Sequence, residues 1–94
     1  MMITVLIPTA LRSFTERQGA VQLEAGTVGQ AVAALAENYP DLKQHLYDDQ
    51  GQLRSFVNLF VGGRNVKTLE GLATPLAEGE TLTLVPAIAG GRDA

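Results

Sequence analysis

One amphipathic stripe constrains this chain more than anything else in it. Val28, Val32, Leu35, Ala36 and Tyr39 recur at spacings of three and four, which gathers them on one side of an α-helix. Thr27 precedes them as an N-cap, its hydroxyl placed to accept from a free amide of the first turn. Pro40 closes the segment, because proline disfavours helical geometry in the residue before it. A helix with one apolar side has to be covered by something, and the other strong periodicities in the chain are those of strands.

Ahead of the helix, Met2 to Ile7 sets Ile3, Val5 and Ile7 against Met2, Thr4 and Leu6, and both sets are largely apolar. That suits an interior strand better than an edge. Pro8 stops it, Leu11 to Gly19 reads as a polar connection, and Ala20 to Ala25 alternates again with Val21 and Leu23 on one face. The two strands pair as a hairpin, closed by Gly26. Beyond the helix, Leu42 and Leu46 allow one further short turn, and Asp48 to Gln52 is a polar loop. Phe56-Val57-Asn58-Leu59-Phe60-Val61 is the strongest strand, and Gly62-Gly63-Arg64-Asn65 folds it back into a short return strand at Asn65 to Lys67. Leu69 to Leu76 is irregular and Gly79 marks a turn. Thr81 to Val85 is the last strand, with Leu82 and Leu84 pointing inward. The expected class is α+β in β-grasp order: a mixed sheet of four to five strands wrapped on one main helix, its other face left to water.

A chain of 94 residues is one domain with a thin core, and its 46% apolar content suffices to fold it without staples. Cysteine is absent, which excludes a disulfide, a thiolate metal site, a cysteine nucleophile and a persulfide carried on the protein's own thiol. The apolar runs are strand-sized, and MMITVLIP lacks the basic region and small-residue cleavage site of a signal peptide. A cytoplasmic protein with no membrane partner is expected. The net charge is −3 and the seven Lys and Arg residues are scattered, which argues against nucleic acid as a partner. His45 is the only histidine, so no conventional zinc site is available and a surface position is expected. Asp48-Asp49 and Glu78 to Glu80 read as solvated turns. Gly62-Gly63 is a turn and not a phosphate cradle, since no helix begins after it.

The final segment is the most distinctive. Pro86-Ala87-Ile88-Ala89-Gly90-Gly91 carries no charge and has no strand partner, and its six residues span roughly 20 Å when extended. Two terminal glycines let a narrow channel close around the backbone. TLTLVPAIAGG lines up without gaps on the last strand and diglycine tail of ubiquitin. VLIPTALR, FVNLFVGG and GLATPLAEGETLTLVPAIAGG resemble the MoaD/ThiS family of ubiquitin-like sulfur carrier proteins, and within it the CysO-type branch that serves cysteine biosynthesis. The likeness covers nearly the whole chain, with the helix similar in pattern only.

The resemblance implies a protein co-substrate and not an enzyme. An E1-like adenylating enzyme would activate the carboxylate of Gly91 with ATP, and a sulfur donor would displace AMP to leave a thiocarboxylate. That sulfur would pass to a synthase making cysteine or another sulfur-containing metabolite, cysteine-synthase-like in the branch named. Ile88, Ala89 and Gly90 would form the tail, and no cofactor is expected to be bound, since ATP belongs to the activating enzyme. Arg92-Asp93-Ala94 follows Gly91, so Gly91 has an amide there and no free carboxylate. Cleavage between Gly91 and Arg92 is therefore required, and the resemblance points to a JAMM-type zinc metalloprotease. The expected organisation is a β-grasp domain over 1–85, a flexible diglycine tail over 86–91 and a removable extension over 92–94.

If Val57, Leu59 and Val61 are core, Phe60 lies on the open sheet face, and Val85 joins it there. Phe60, Val85, Pro86 and Ile88 then make an exposed apolar patch of the kind that marks partner surfaces. Three other functions share the same sequence features: the small subunit of molybdopterin synthase, a protein modifier joined to lysines through Gly91, and a β-grasp binding module with no sulfur role.

Overall fold

The computed structural model describes residues 1–54 and 57–86, the last of these by its backbone alone. Five strands, β1 (Met2–Leu6), β2 (Ala20–Glu24), β3 (Val57–Val61), β4 (Arg64–Asn65) and β5 (Thr81–Pro86), form a single mixed sheet in the order β2-β1-β5-β3-β4. β1 runs antiparallel to β2 and parallel to β5, while β3 is antiparallel to both β5 and β4. One face of this sheet is packed on helix α1 (Val28–Asn38), whose buried side is Val28, Ala31, Val32, Leu35 and Ala36. Ile3, Val5, Val21, Leu23, Val57, Leu59, Leu82 and Leu84 supply the sheet's half of the core. This is the expected β-grasp, with five strands.

The helix starts where expected. Thr27 Oγ1 accepts from the Gln30 amide at 3.2 Å, and Gln30 Oε1 reaches back to the Gly26 amide at 2.8 Å, so two otherwise orphaned donors are satisfied at one helix end. The β3–β4 turn is also as read. Gly62 and Gly63 hold φ of 57° and 82°, the paired positive values that a two-residue hairpin turn requires.

Four local expectations need correcting. Pro40 ends α1 but also opens a second helix, α2 (Pro40–Leu46), as its N1 residue, where a missing N–H costs nothing. Leu42 and Leu46 are completely buried there, so this is a packed element and not a stray turn. The connection from β1 to β2 is wound, not extended: Thr9–Phe14 is a 3-10 helix, Leu11 and Thr15 are buried, and Thr15 Oγ1 donates to the Gln18 carbonyl at 3.0 Å. The return strand stops at Asn65, because Asn65 Oδ1 accepts from the Lys67 amide at 2.9 Å and turns Val66–Thr68 into 3-10 geometry. His45 is half-buried and stacked on Phe14 with ring centroids 4.3 Å apart, which ties α2 to the 3-10 helix. Asp48 does form a turn: its Oδ1 accepts from the amides of Gln50 and Gln52 at 2.9 and 3.0 Å.

Candidate functional site

The position of β5 decides what the C-terminal segment can do. The last of the described strands is not an edge but the centre of the sheet, held by β1 on one side and β3 on the other. Leu82 and Leu84 anchor it to the core, so Thr81, Thr83 and Val85 face outward by the strict alternation of a strand. Thr83 stands between Leu6 of β1 and Phe60 of β3, and Val85 stands opposite Asn58. Directly paired residues share a face, so Leu6, Asn58, Phe60, Thr83 and Val85 make one contiguous surface at the downstream end of β5. Leu6 and Val85 are exposed at 39% and 41%, and Phe60 is half-buried.

Pro8 turns the chain out of β1 just past Leu6, while β5 continues to Pro86 at the register of Val57. The departure leaves an apolar notch beside the end of β5, lined by Leu6, Ile7, Pro8, Ala10, Thr83 and Val85. No residue of this surface or notch carries a charge. The surface has shape and apolar area, with no titratable side chain, and it is suited to being held by another protein.

The sequence-predicted residues divide into two groups. The structure brings Phe60 and Val85 to one face, and it corrects the expectation for Pro86, which belongs to β5 and pairs with Val57 and is not part of an unpartnered tail. Ile88, Ala89, Gly90, Gly91 and Arg92 lie outside the described residues. Sequence reasoning missed Leu6 as a member of the surface, and it left Asn58 out of the apolar patch although the alternation of β3 puts Asn58 on the face of Phe60. The alternation around each was visible, but the parallel β1–β5 pairing that brings Leu6 alongside Thr83 has no local signature.

Among the described residues two titration shifts occur, both away from this surface. The terminal amine of Met1 is raised by its hydrogen bond to Glu24, at the opposite end of β1 from the notch. Burial raises the Tyr47 phenol, which sits just after α2. Among the described residues no group of three or more His, Asp or Glu is placed to hold a metal, and no helix is long and apolar enough to cross a membrane.

Comparison with known proteins adds the family. The ThiS family profile matches residues 5–91. The sulfur carrier protein CysO of Mycobacterium tuberculosis is 40% identical over 93 residues, covering 97% of this chain and all of the relative. Its crystal structure superposes with a TM-score of 0.80 at 38% identity, over 90% of this chain and 98% of that one. A chain in the crystal structure of the Amycolatopsis orientalis BexX/CysO complex superposes with a TM-score of 0.83 at 32% identity, over 95% and 99% of the two chains. Small archaeal modifier protein 3 of Haloferax volcanii is 37% identical over 65 residues, covering 69% of this chain and 70% of the relative. On the family match and on likeness over nearly its full length, this chain belongs to the ThiS/MoaD family of ubiquitin-like sulfur carrier proteins, and within it to the CysO type.

Proposed function

We propose that the chain carries sulfur as a thiocarboxylate on Gly91, formed after residues 92–94 have been removed. The observation that carries this reading is the central position of β5. The last described residue of the strand, Pro86, lies five residues before Gly91 and next to an uncharged face fit for docking. A rigid launch point and a short neutral segment let an enzyme grip the globule and receive the end of the chain in one encounter.

The chemistry follows from the groups available. Hydrolysis of the Gly91–Arg92 amide by a JAMM-type metalloprotease takes up one water, releases the tripeptide and frees a carboxylate. A carboxylate resists nucleophilic attack. An E1-like enzyme removes that resistance by joining a carboxylate oxygen to the α-phosphorus of ATP, with pyrophosphate leaving. Sulfur at the sulfide level then attacks the acyl carbon and AMP departs with its oxygen, leaving the thiocarboxylate. A synthase of the cysteine-forming kind takes that sulfur up. The carrier supplies no side chain to any step, ATP is bound by its activating enzyme, and the reading assigns the work to the cytoplasm, where ATP is abundant. With no cysteine in the chain, Gly91 is where such sulfur would be held.

The test is the intact mass of untagged protein purified from its own host. A species ending at Gly91, with a fraction heavier by the difference between sulfur and oxygen, is the expected result. A population ending at Ala94 and unchanged by the host's metalloproteases would defeat the proposal. A second reading is favoured by the relationship to an archaeal modifier protein: the same Gly91 carboxylate joined to lysines of other proteins. Higher-mass conjugates that vanish in Gly91→Ala would select it.

A further inference from the structure

Asn58 is a polar residue in an otherwise apolar part of the open face, beside Phe60 and directly opposite Val85. Its orientation is set by a relay. The Lys67 amide donates to Asn65 Oδ1 at 2.9 Å, which fixes the other branch of the Asn65 amide as the donor. That branch, Nδ2, donates to Asn58 Oδ1 at 3.5 Å. Asn58 Oδ1 is thereby turned toward Asn65, and its Nδ2, which carries two N–H donors, meets no acceptor among the described residues. A donor held beside exposed apolar side chains is satisfied by water in the free protein. Once the face is covered, it must be satisfied by whatever covers it.

What covers it is limited by the length of the chain beyond the strand. Gly91 lies five residues past Pro86, no more than about 18 Å when fully extended. An enzyme that holds the Gly91 carboxylate in its active site is therefore brought against the end of β5, and Asn58 is paired with Val85, one position before that end, about 5 Å away.

We infer that Asn58 is a specificity-determining residue of this face: its side-chain N–H donates to a backbone carbonyl of the enzyme that activates Gly91, and Asn65 is the positioning residue that orients it. The inference rests on the reading that the face around Val85 docks that enzyme. A purely apolar partner surface would leave the donor unpaired, so the residue rejects such partners as well as holding the right one.

The experiment measures ATP–pyrophosphate exchange by the host's E1-like adenylating enzyme on chains processed to Gly91. Asn58→Leu is expected to raise KM for the carrier about tenfold or more with kcat unchanged, because the enzyme's carbonyl loses its donor in a desolvated contact. Asn58→Asp keeps the acceptor for Asn65 but has no donor, and it is expected to raise KM likewise. Asn65→Ala is expected to give a smaller rise, since the donor is present but no longer held. Thermal unfolding of each variant separates this from a structural role, which would lower the midpoint and leave KM per folded molecule unchanged. An Asn58→Leu carrier that binds as well as or better than the parent would overturn the inference and leave a simple apolar patch. Val85→Asp serves as the reference: if it raises KM and Asn58→Leu does not, only the Asn58 role is lost. If neither does, the docking face itself is wrong.

Discussion

At the scale of single residues, the open face and the core make opposite demands on neighbouring positions in the same strand. Leu84 is 2% exposed and Val85 41%, although they are adjacent, because β5 alternates between the α1 side and the solvent side. Val85→Asp should therefore leave the unfolding midpoint within a few degrees of the parent, since no buried contact is lost. It should still weaken docking by tenfold or more, by placing an unpaired charge in a desolvated contact. Leu84→Ala should do the reverse, costing about 2–5 kcal/mol of stability through lost burial and a residual cavity. Chemical denaturation and adenylation kinetics on the same two variants read both effects. Tyr47 adds a pH dependence. Burial disfavours its phenolate, so the folded pKa lies above the ordinary value of 10.0 while the unfolded chain ionises near that value. The folded state then binds the proton more tightly. Stability is retained below about pH 10 and falls as pH rises from there toward the folded pKa. Tyr47→Phe should flatten that fall, and an unchanged slope in urea titrations between pH 9 and about 11 would count against it.

At the scale of elements, what was legible in the sequence was whatever is decided by neighbours in the chain. The α1 stripe, the Thr27 cap, the paired glycines at 62 and 63 and the alternation of β5 each depend on residues within a few positions of one another. Thr27→Ala should thus cost about 1 kcal/mol, or roughly 4–8 °C in a domain of this size. A thermal midpoint unmoved by that change would mean that packing alone starts the helix. Gln30 escaped notice because its contribution runs backward to Gly26, through a side chain usually read as surface. The 3-10 helix at Thr9–Phe14 was invisible for a related reason. It is held by Arg12 Nε to the Ile7 carbonyl at 3.0 Å and by Thr15 Oγ1 to Gln18, bonds that a polar stretch conceals. Pro40 signals the end of α1 in the sequence, while its equal fitness to open α2 depends on Leu42 and Leu46 finding the core. The pairing of β1 with β5 joins Leu6 to Thr83 across most of the chain, and nothing local encodes it. Missing that contact kept Leu6 out of the expected surface, although both halves of the pair had been recognised as strands.

At the scale of the whole molecule, the sheet order turns a sequence of ordinary strands into a device with a front and an end. β5 is central, and its last described residue, Pro86, is still paired with Val57 of β3, while the residue count sets the longest reach from Pro86 to Gly91. Length should therefore matter more than composition in that segment. Deleting Ala87 and Ile88 while keeping Gly90 and Gly91 shortens the reach by about 7 Å. The described β-grasp is untouched, since the deletion begins after the last described residue of β5, and the unfolding midpoint should equal that of the parent. Adenylation should nevertheless fall by at least about a hundredfold, because a docked globule can no longer bring the carboxylate to the nucleotide, and misplacement by even 1 Å is costly in such a reaction. Replacing the same two residues by Ser-Ser keeps the length and should cost far less. The comparison separates two ideas of the tail. If the diglycine were recognised by itself, as a free peptide would be, the shortened carrier would be adenylated normally and the serine variant would behave no differently from it. If the tail is a measured arm projecting from a docked domain, the deletion fails and the substitution survives. Pyrophosphate exchange on the three Gly91-terminated proteins decides between them.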